Sequence, residues 1–578
     1  MASQPKRAPN FQALHSIIIF VFVIMILIPF VSSSDSAVAP ASPATNSVAK
    51  QSEAVALLKW KASLDNQSQS LLSSWNETSH CTWVGIGCNH ASKVTNLTLD
   101  SIGLRGTLSS LNFSSLPHLV KLDLSNNFIY GTIPSQIGSL SRLASLNASI
   151  NHLSGTIPTD IGMLRSLVEL DLSTNNLTGS IPASIENLRN LTMLYIYENS
   201  LSGSIPQGVG LLRSLTELIL YKNNLMGSIP ASIGNLTNLT ALCLYENSLS
   251  GSIPQEVGLL RSLTNLELTA NNLTGSIPTS IGNLTNLTML YFHRNSLSGS
   301  IPQEVGLLRS LAKLVLYKNN LTGSIPASIG NLTNLTTLYL YENSLSGSIP
   351  QEVGLLRSLT GVALSTNDLT GSIPASIGNL TNLTGLYLYE NSLSGSIPQE
   401  VGLLRSLTEL ILYKNNLRGS IPASIGNLTN LTALCLYENS LSGSIPQEVG
   451  LLRSLTGVAL SMNDLTGSIP TSIGNLTNLT GLYLYENSLS GSIPQEVGLL
   501  RSLTDLALYK NSLTGSIPTS IWNLTNLTRN HLFFENKALV WVEVIELIKA
   551  RVAFCVTRSG NGWVVWLLAV ASYLRLIG

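Results

Sequence analysis

Two cysteines stand seven residues apart in "CTWVGIGC", Cys81 and Cys88, and two chemistries could use them. A structural zinc site needs about four ligands, and no suitable set of partners clusters around this pair. A short closed loop beside Trp83, a staple across the backbone, is the other reading. Cys243 and Cys435 fall at equivalent positions of an internal repeat, eight coils apart and too distant to pair. They are expected to be free, partly exposed thiols, and Cys555 is isolated. The seven histidines are scattered, and the Ser, Asp and Glu positions follow the repeat instead of one another. No nucleophile–base pair, metal cluster or phosphate-cradling glycine loop results. Neither an enzyme nor a cofactor or metal is expected.

Binding chemistry is better represented. Tyr221, Tyr245, Tyr317, Tyr341, Tyr389, Tyr413, Tyr437, Tyr485 and Tyr509 recur at one repeat position, each followed by Lys or Glu. A tyrosine offers a large apolar ring with a polar tip, which suits interfaces between proteins. The same row could instead satisfy itself, with Lys222 beside Glu246 and Lys318 beside Glu342 about 5 Å away on adjacent strands. Exposed pairs of that kind contribute about 0–1 kcal/mol. The pattern fails in "YFHRN", where His293 and Arg294 replace Tyr and Glu. It also fails in the early run, where Lys121, Asp123, Glu169, Asp171 and Tyr195 vary from coil to coil. Identical coils offer a ligand several equivalent registers, so selective contact is expected where the copies differ, with Arg294 placed near Glu267.

These residues must be positioned by a 24-residue period that settles in from Leu119. One unit reads "LTALCLYENSLSGSIPQEVGLLRS", Leu239 to Ser262, and its proline recurs seventeen times from Pro134 to Pro518. In "LCL" the alternation is that of a strand, with Leu242 and Leu244 inward and Cys243 outward. Asn247 can supply both donor and acceptor to buried turns. Gly251 permits an unusual backbone angle and Pro254 ends further pairing. Ile253, Val257 and Leu260 close the core from the other wall. No coil buries its own leucines, so each depends on its neighbours. This skeleton is the leucine-rich repeat. "GSIPQEVGLLRSLT" and "GSIPASIGNLTNLT" alternate as a 48-residue pair, and identity beyond structural need points to recent tandem copying.

The 578 residues are 44% hydrophobic and 11% charged with zero net charge, which leaves no electrostatic footprint for nucleic acid. Twenty-three Asn-x-Ser/Thr sequons could compensate with glycans. Asn235, Asn283, Asn331, Asn379, Asn427 and Asn475, the first members of "NLTNLT" pairs, are candidate sites on the flank and back of the coils. Lys6, Arg7 and the apolar run Ile17 to Val31 predict a secretory signal over 1–34, with a mature start between Ser33 and Ala41. A linker over 35–50 and a cap over 51–93 follow. About 18 coils fill 94–528, and an apolar tail occupies 529–578.

The x-L-x-G-x-I-P form of the repeat resembles the plant-specific class found in receptor-like kinases and receptor-like proteins. Upstream, "EAVALLKWKASL", "LLSSW" and "CTWVGIGC" resemble the N-terminal cap of those ectodomains, most closely the receptor kinases that interact with the male-discoverer receptor. The resemblance implies an α/β solenoid: a right-handed superhelix with a parallel β-sheet on its concave face. It also implies a cap in which Leu57, Leu58, Trp60, Trp75 and Trp83 cover the first coil, locked by Cys81–Cys88. Its functional implication is recognition of a secreted peptide or protein at the cell surface or wall, with a co-receptor ectodomain as a possible second partner. His293, Arg294, Tyr317, Tyr341, Tyr389 and Tyr413 are the candidate contacts. An Arg-x-Arg pair that grips a ligand carboxylate in some relatives has no counterpart here. The family's kinase would follow the repeats, yet 529–578 holds no H-R-D or D-F-G string. "LTRNHLFFEN" sets Asn530 and Glu535 where Leu and ladder Asn belong, so the coil after Leu527 is expected to break. "WVVWLLAVASYL" is short for a membrane span and is read as an aberrant end or a marginal anchor. Two alternatives follow: a wall-associated inhibitor similar to polygalacturonase-inhibiting proteins, or a truncated, non-functional receptor fragment.

Overall fold

A computed structural model of the protein describes residues 43–76, 79–527 and 532–533. The signal-peptide segment, Cys555 and nearly all of the apolar tail lie outside the described residues. By compactness the chain falls into two units, Met1–Gln51 and Ser52–Gly578. In the first, the described part is the opening of the helix Pro43–Ser63.

In the second unit, one coil explains the rest. The strand Ala241–Cys243 pairs in parallel with Glu217–Ile219 before it and Asn265–Glu267 after it, in 24-residue register. Leu242 and Leu244 are fully buried. The chain then turns through Glu246, at φ +52°, into the short strand Ser248–Ser252, where Gly251 sits at φ +74°. Pro254 precedes a five-residue 3-10 helix, Gln255–Leu259, and Val257 returns to the core. Asn247 ties the turn together. Its Nδ2 donates to the carbonyls of Leu220, Leu244 and Tyr245, and its Oδ1 accepts from Leu225 N–H at 3.0 Å. Buried backbone groups that would otherwise be orphaned are thereby paired.

Repeating this unit gives a 20-stranded sheet whose members follow chain order. All neighbours are parallel except Ile86–Cys88, which pairs antiparallel with Val94–Thr98. Two features differ from the expected architecture. The repeat helices are 3-10 turns, and among the described residues α-helix is confined to Pro43–Ser63 and Asn66–Leu71. Five residues cannot repay α-helix nucleation, and the prolines restart the turn in each coil. Short strands such as Ser248–Ser252 also form separate sheets of two to four strands, a second wall the sequence reading did not include.

After Leu527 the 24-residue register is lost, as expected, but strand pairing continues; Asn530 and Glu535 lie outside the described residues. Leu506 pairs with Leu532 and Ala507 with Phe533, a step of 26 residues instead of 24. Leu532 therefore takes the register position that a 24-residue step would have given to residue 530.

At the other end, Leu57, Trp60, Trp75 and Trp83 are buried and Leu58 packs against them. Trp75 stacks on Trp83 at 5.5 Å, and Trp60 Nε1 donates to Thr107 O at 2.9 Å, joining cap to array. Cys81 and Cys88 are bonded to each other. Replacing both with serine should destabilise the cap by about 2–3 kcal/mol, because the closed loop is short. Hydrogen exchange across 80–98 would register the loss, and unchanged protection there would refute it.

Candidate ligand-recognition face

Register places each strand residue of one coil beside its equivalent in the next, so the residue after the second strand leucine forms a continuous row. Along it the aromatic rings stack on one another. Tyr197, Tyr221 and Tyr245 make one stack, with centroids 4.5 and 4.3 Å apart. His293, Tyr317 and Tyr341 make a second, at 4.3 Å each. Tyr389, Tyr413 and Tyr437 make a third, and Tyr485 with Tyr509 a fourth. Thr269, Ser365 and Ser461 occupy the gaps. All six proposed contact residues thus lie on one row or immediately beside it, but His293 heads one stack and Tyr413 is the middle ring of another. Tyr197 was missed by the sequence reading, although it sits one period before Tyr221.

Stacking consumes ring faces and leaves edges and hydroxyls to the outside. Burial raises the Tyr317 phenol and pushes that of Tyr437 up to about 12. Tyr317 and Tyr437 therefore stay protonated and can donate hydrogen bonds at any extracellular pH. A second set of rings lies closer to the sheet. Tyr387 donates to Glu409 at 2.7 Å and lies across Gly385, where an added Cβ would stand 2.6 Å from its ring. Of these rings the sequence reading singled out Tyr195 but not Tyr387.

The residue after each ring adopts the left-handed backbone region, from Lys222 at φ +51° to Arg294 at φ +57°. The expected Lys222–Glu246 pair does not form; Lys222 Nζ binds Glu198 at 2.8 Å on the preceding coil. Lys414 likewise turns back to Glu390, and Lys510 to Glu486. Lys318 alone of these four turns forward, to Glu342 at 3.4 Å, as expected. The physical reason is Arg294, which stands where the others find a glutamate and repels the ammonium.

Glu267, the expected neighbour of Arg294, accepts from Asn265 Nδ2 at 2.9 Å. Glu267 belongs to the strand, whereas Arg294 follows the turn of the next coil, three residues beyond Tyr291, the strand partner of Glu267. Arg294 is exposed.

His293 contacts Thr269 Oγ1 at 3.1 Å and meets Tyr291 edge-on. Burial, and then the Arg294 charge, lower its pKa from 6.5 to about 4. The sign is definite. Below pH 6.5 the unfolded imidazole takes up a proton that the folded one refuses, so stability falls with pH until about 4, by at most about 3 kcal/mol. Against His293→Tyr, the wild type should therefore lose more urea stability between pH 7 and pH 4. Equal losses would show that His293 titrates freely.

The early run is locally satisfied. Lys121 Nζ lies 3.4 Å from Asp123, and Ser125 and Ser173 donate to Asp123 and Asp171 at 2.8 and 2.6 Å. Glu169 accepts from Ser145, and Tyr195 donates to Glu217.

The two outward thiols differ, contrary to expectation. Cys243 is buried, whereas Cys435 is partly exposed. Asn265 and Glu267 on the next strand cover Cys243, with Asn265 Nδ2 3.6 Å from its sulfur. Eight coils on, Gly457 and Ala459 face Cys435 and leave it open.

His80, Cys81 and Cys88 have their potential ligand atoms within 4.8 Å, but the two sulfurs are bonded to each other and no thiolate remains for a metal. The candidate glycosylation asparagines lie elsewhere, at the ends of the 3-10 helices.

Leucine-rich-repeat models match residues 108–252, 230–344, 334–356 and 406–428, and a leucine-rich-repeat N-terminal domain matches 50–89. Among curated relatives, MDIS1-interacting receptor like kinase 2 of Arabidopsis thaliana is 49% identical over 86 residues, 14% of this chain and 8% of that protein. The chain therefore spans well under two thirds of this relative's length. The plant peptide hormone receptor RGFR1, solved in complex with RGF2, is 39% identical with a TM-score of 0.68, over 79% of this chain and 83% of that one. The Arabidopsis receptor kinase HAESA, solved with the peptide hormone IDA and the co-receptor SERK1, is 34% identical with a TM-score of 0.62, over 84% and 93%. With its capped coils, asparagine ladder and parallel sheet, the chain belongs to the leucine-rich-repeat receptor family of plants, as an array of the ectodomain type.

Proposed function

We propose that the outward face of the strand sheet binds an extracellular peptide or protein, and that the coil bearing His293 and Arg294 supplies the discriminating contact. One observation carries this reading. Arg294 is an exposed cation in a row otherwise laced by Lys–Glu pairs, and its presence reverses the partner of Lys318. A ligand sliding along equivalent coils meets one register that differs in charge and ring chemistry, which is what selectivity requires. Tyr317, Tyr341, Tyr389 and Tyr413 then offer ring edges and hydroxyl donors on the coils that follow. The solved relatives bound to peptide hormones, one with a co-receptor, support the same ligand class and a second ectodomain as partner. A place at the cell surface or wall follows from this reading. No helix among the described residues is long and apolar enough to cross a membrane.

The test uses a panel of synthetic secreted plant peptides against the full chain, the double variant His293→Tyr with Arg294→Glu, and Tyr413→Ala. A peptide that binds the wild type should lose most of its affinity in the double variant. Normal binding by the double variant, with loss in Tyr413→Ala, would move the site to the repetitive stack and overturn this assignment.

A further inference from the structure

The last residue of each 3-10 helix forms a row of its own, one residue per coil. From Asn235 it alternates strictly: Asn235, Leu259, Asn283, Leu307, Asn331, Leu355, and so on to Leu499 and Asn523. Each of these asparagines opens an Asn-Leu-Thr sequon and is exposed. The leucines are exposed too: Leu259, Leu307, Leu355, Leu403, Leu451 and Leu499 keep 50–56% of their surface. Every other leucine of the coil motif is buried, so this one is outside by position, not for want of a core. The exposed leucines therefore form a regular line, one on every second coil, of apolar groups that a neighbouring group can cover.

The neighbouring asparagines can supply that cover. Adjacent coils stand about 5 Å apart at the sheet, so each leucine has a sequon on both sides. In one case the leucine also lies close to the backbone beside the sequon. A Cβ placed on Gly426 would lie 3.2 Å from Leu451 Cδ1, so the leucine leans over the backbone that leads into Asn427.

The second asparagine of each pair is differently placed. Asn238 Nδ2 donates to Arg213 O and Thr240 Oγ1 to Thr216 O, and Asn286 with Thr288 repeats this one pair of coils later. Both side chains of that second sequon are drawn into bonds between coils. Among the described residues, no hydrogen bond engages the amide of the first asparagine.

We propose that N-glycans on the first asparagine of each pair lie over the intervening leucines, the apolar C–H faces of the proximal sugars covering the side chains. The row is thus a glycan-shielded apolar strip, independent of what the strand face binds. It assigns the two halves of each "NLTNLT" different duties, one carrying sugar and the other tying coils together.

The full chain, made in plant cells, provides the test. Glycopeptide mapping should find sugar at Asn283, Asn331, Asn379 and Asn427. Hydroxyl-radical footprinting should then label Leu307, Leu355 and Leu403 weakly in the glycoprotein. Labelling should rise several-fold after glycans are removed enzymatically from the folded protein, a treatment that needs no refolding. Val120, exposed but remote from these sequons, is the internal reference. A variant with those four asparagines changed to Gln should give the same pattern. Empty first sequons, or leucine labelling unchanged by glycan removal, would overturn the proposal.

Discussion

Replacing Asn319 with alanine should cost about 4 kcal/mol and split the array into two independently melting halves. The asparagine is buried, and its Oδ1 accepts from Leu297 N–H at 3.0 Å. That donor lies in the interior and would lose its partner, a loss of about 1–3 kcal/mol. Its Nδ2 donates to the carbonyls of Phe292, Leu316 and Tyr317. Each would lose one of two donors, because Asn295, Asn343 and Arg294 N–H also reach them. Asn319→Asp separates the two halves of the role. It keeps an acceptor for Leu297 but points a carboxylate at three carbonyl oxygens, and should be no better than alanine. Urea unfolding gives the magnitude, and hydrogen exchange should show lost protection in the coils on either side. A cost below about 1 kcal/mol would mean that water replaces the ladder and that the asparagine is not structural.

Trp75→Ala should remove the cap while leaving most of the array folded. The ring is buried between Trp60 at 6.1 Å and Trp83 at 5.5 Å, and its Nε1 donates to Val84 O. Deleting such a side chain costs about 3–5 kcal/mol. Each coil touches only its neighbours, so damage should fade within the first coils. Limited proteolysis should cut between residues 53 and 110 and spare the coils from Pro134 onward. Digestion throughout the chain would show instead that the cap holds the whole array in one cooperative unit. Trp75→Phe should restore part of the resistance.

The sequence carried the coil because its signals are periodic. Asn247, Gly251 and Pro254 recur every 24 residues, and each type answers a specific backbone need. The short strand Ser248–Ser252 and the five-residue helix Gln255–Leu259 were not legible, since neither is long enough to show a period of 2 or 3.6 residues. The last strand escaped because a fixed 24-residue step was assumed, and a two-residue lengthening restores the pairing at Leu532.

The candidate site was legible as a row of residues but not as contacts. That Tyr413 would stack depends on the register that brings Tyr389 and Tyr437 to within 4.6 and 4.4 Å of it. The partner of Lys222 was misjudged because two glutamates flank it, and a sequence does not say which way a side chain leaves a left-handed residue. The burial of Cys243 depends on Asn265 and Glu267 one coil away, where the equivalent thiol meets Gly457 and Ala459.

The left-handed position that follows the ring column, coil by coil, has a wider meaning. Asn126, Ile150, Thr174, Glu198, Ala270, Arg294 and Met462 all hold φ between +51° and +57°, although such a conformation costs a non-glycine residue about 1–2 kcal/mol. Glycine would remove that cost, yet among the described coils it never stands there. A position that accepts acids, bases, a branched chain and a thioether on one unchanging backbone behaves like a slot for movable type. The frame bears a fixed strain whichever letter is set, so the letters can be reset coil by coil without recasting the frame. A descendant of this molecule could alter what it recognises by changing characters in that column alone.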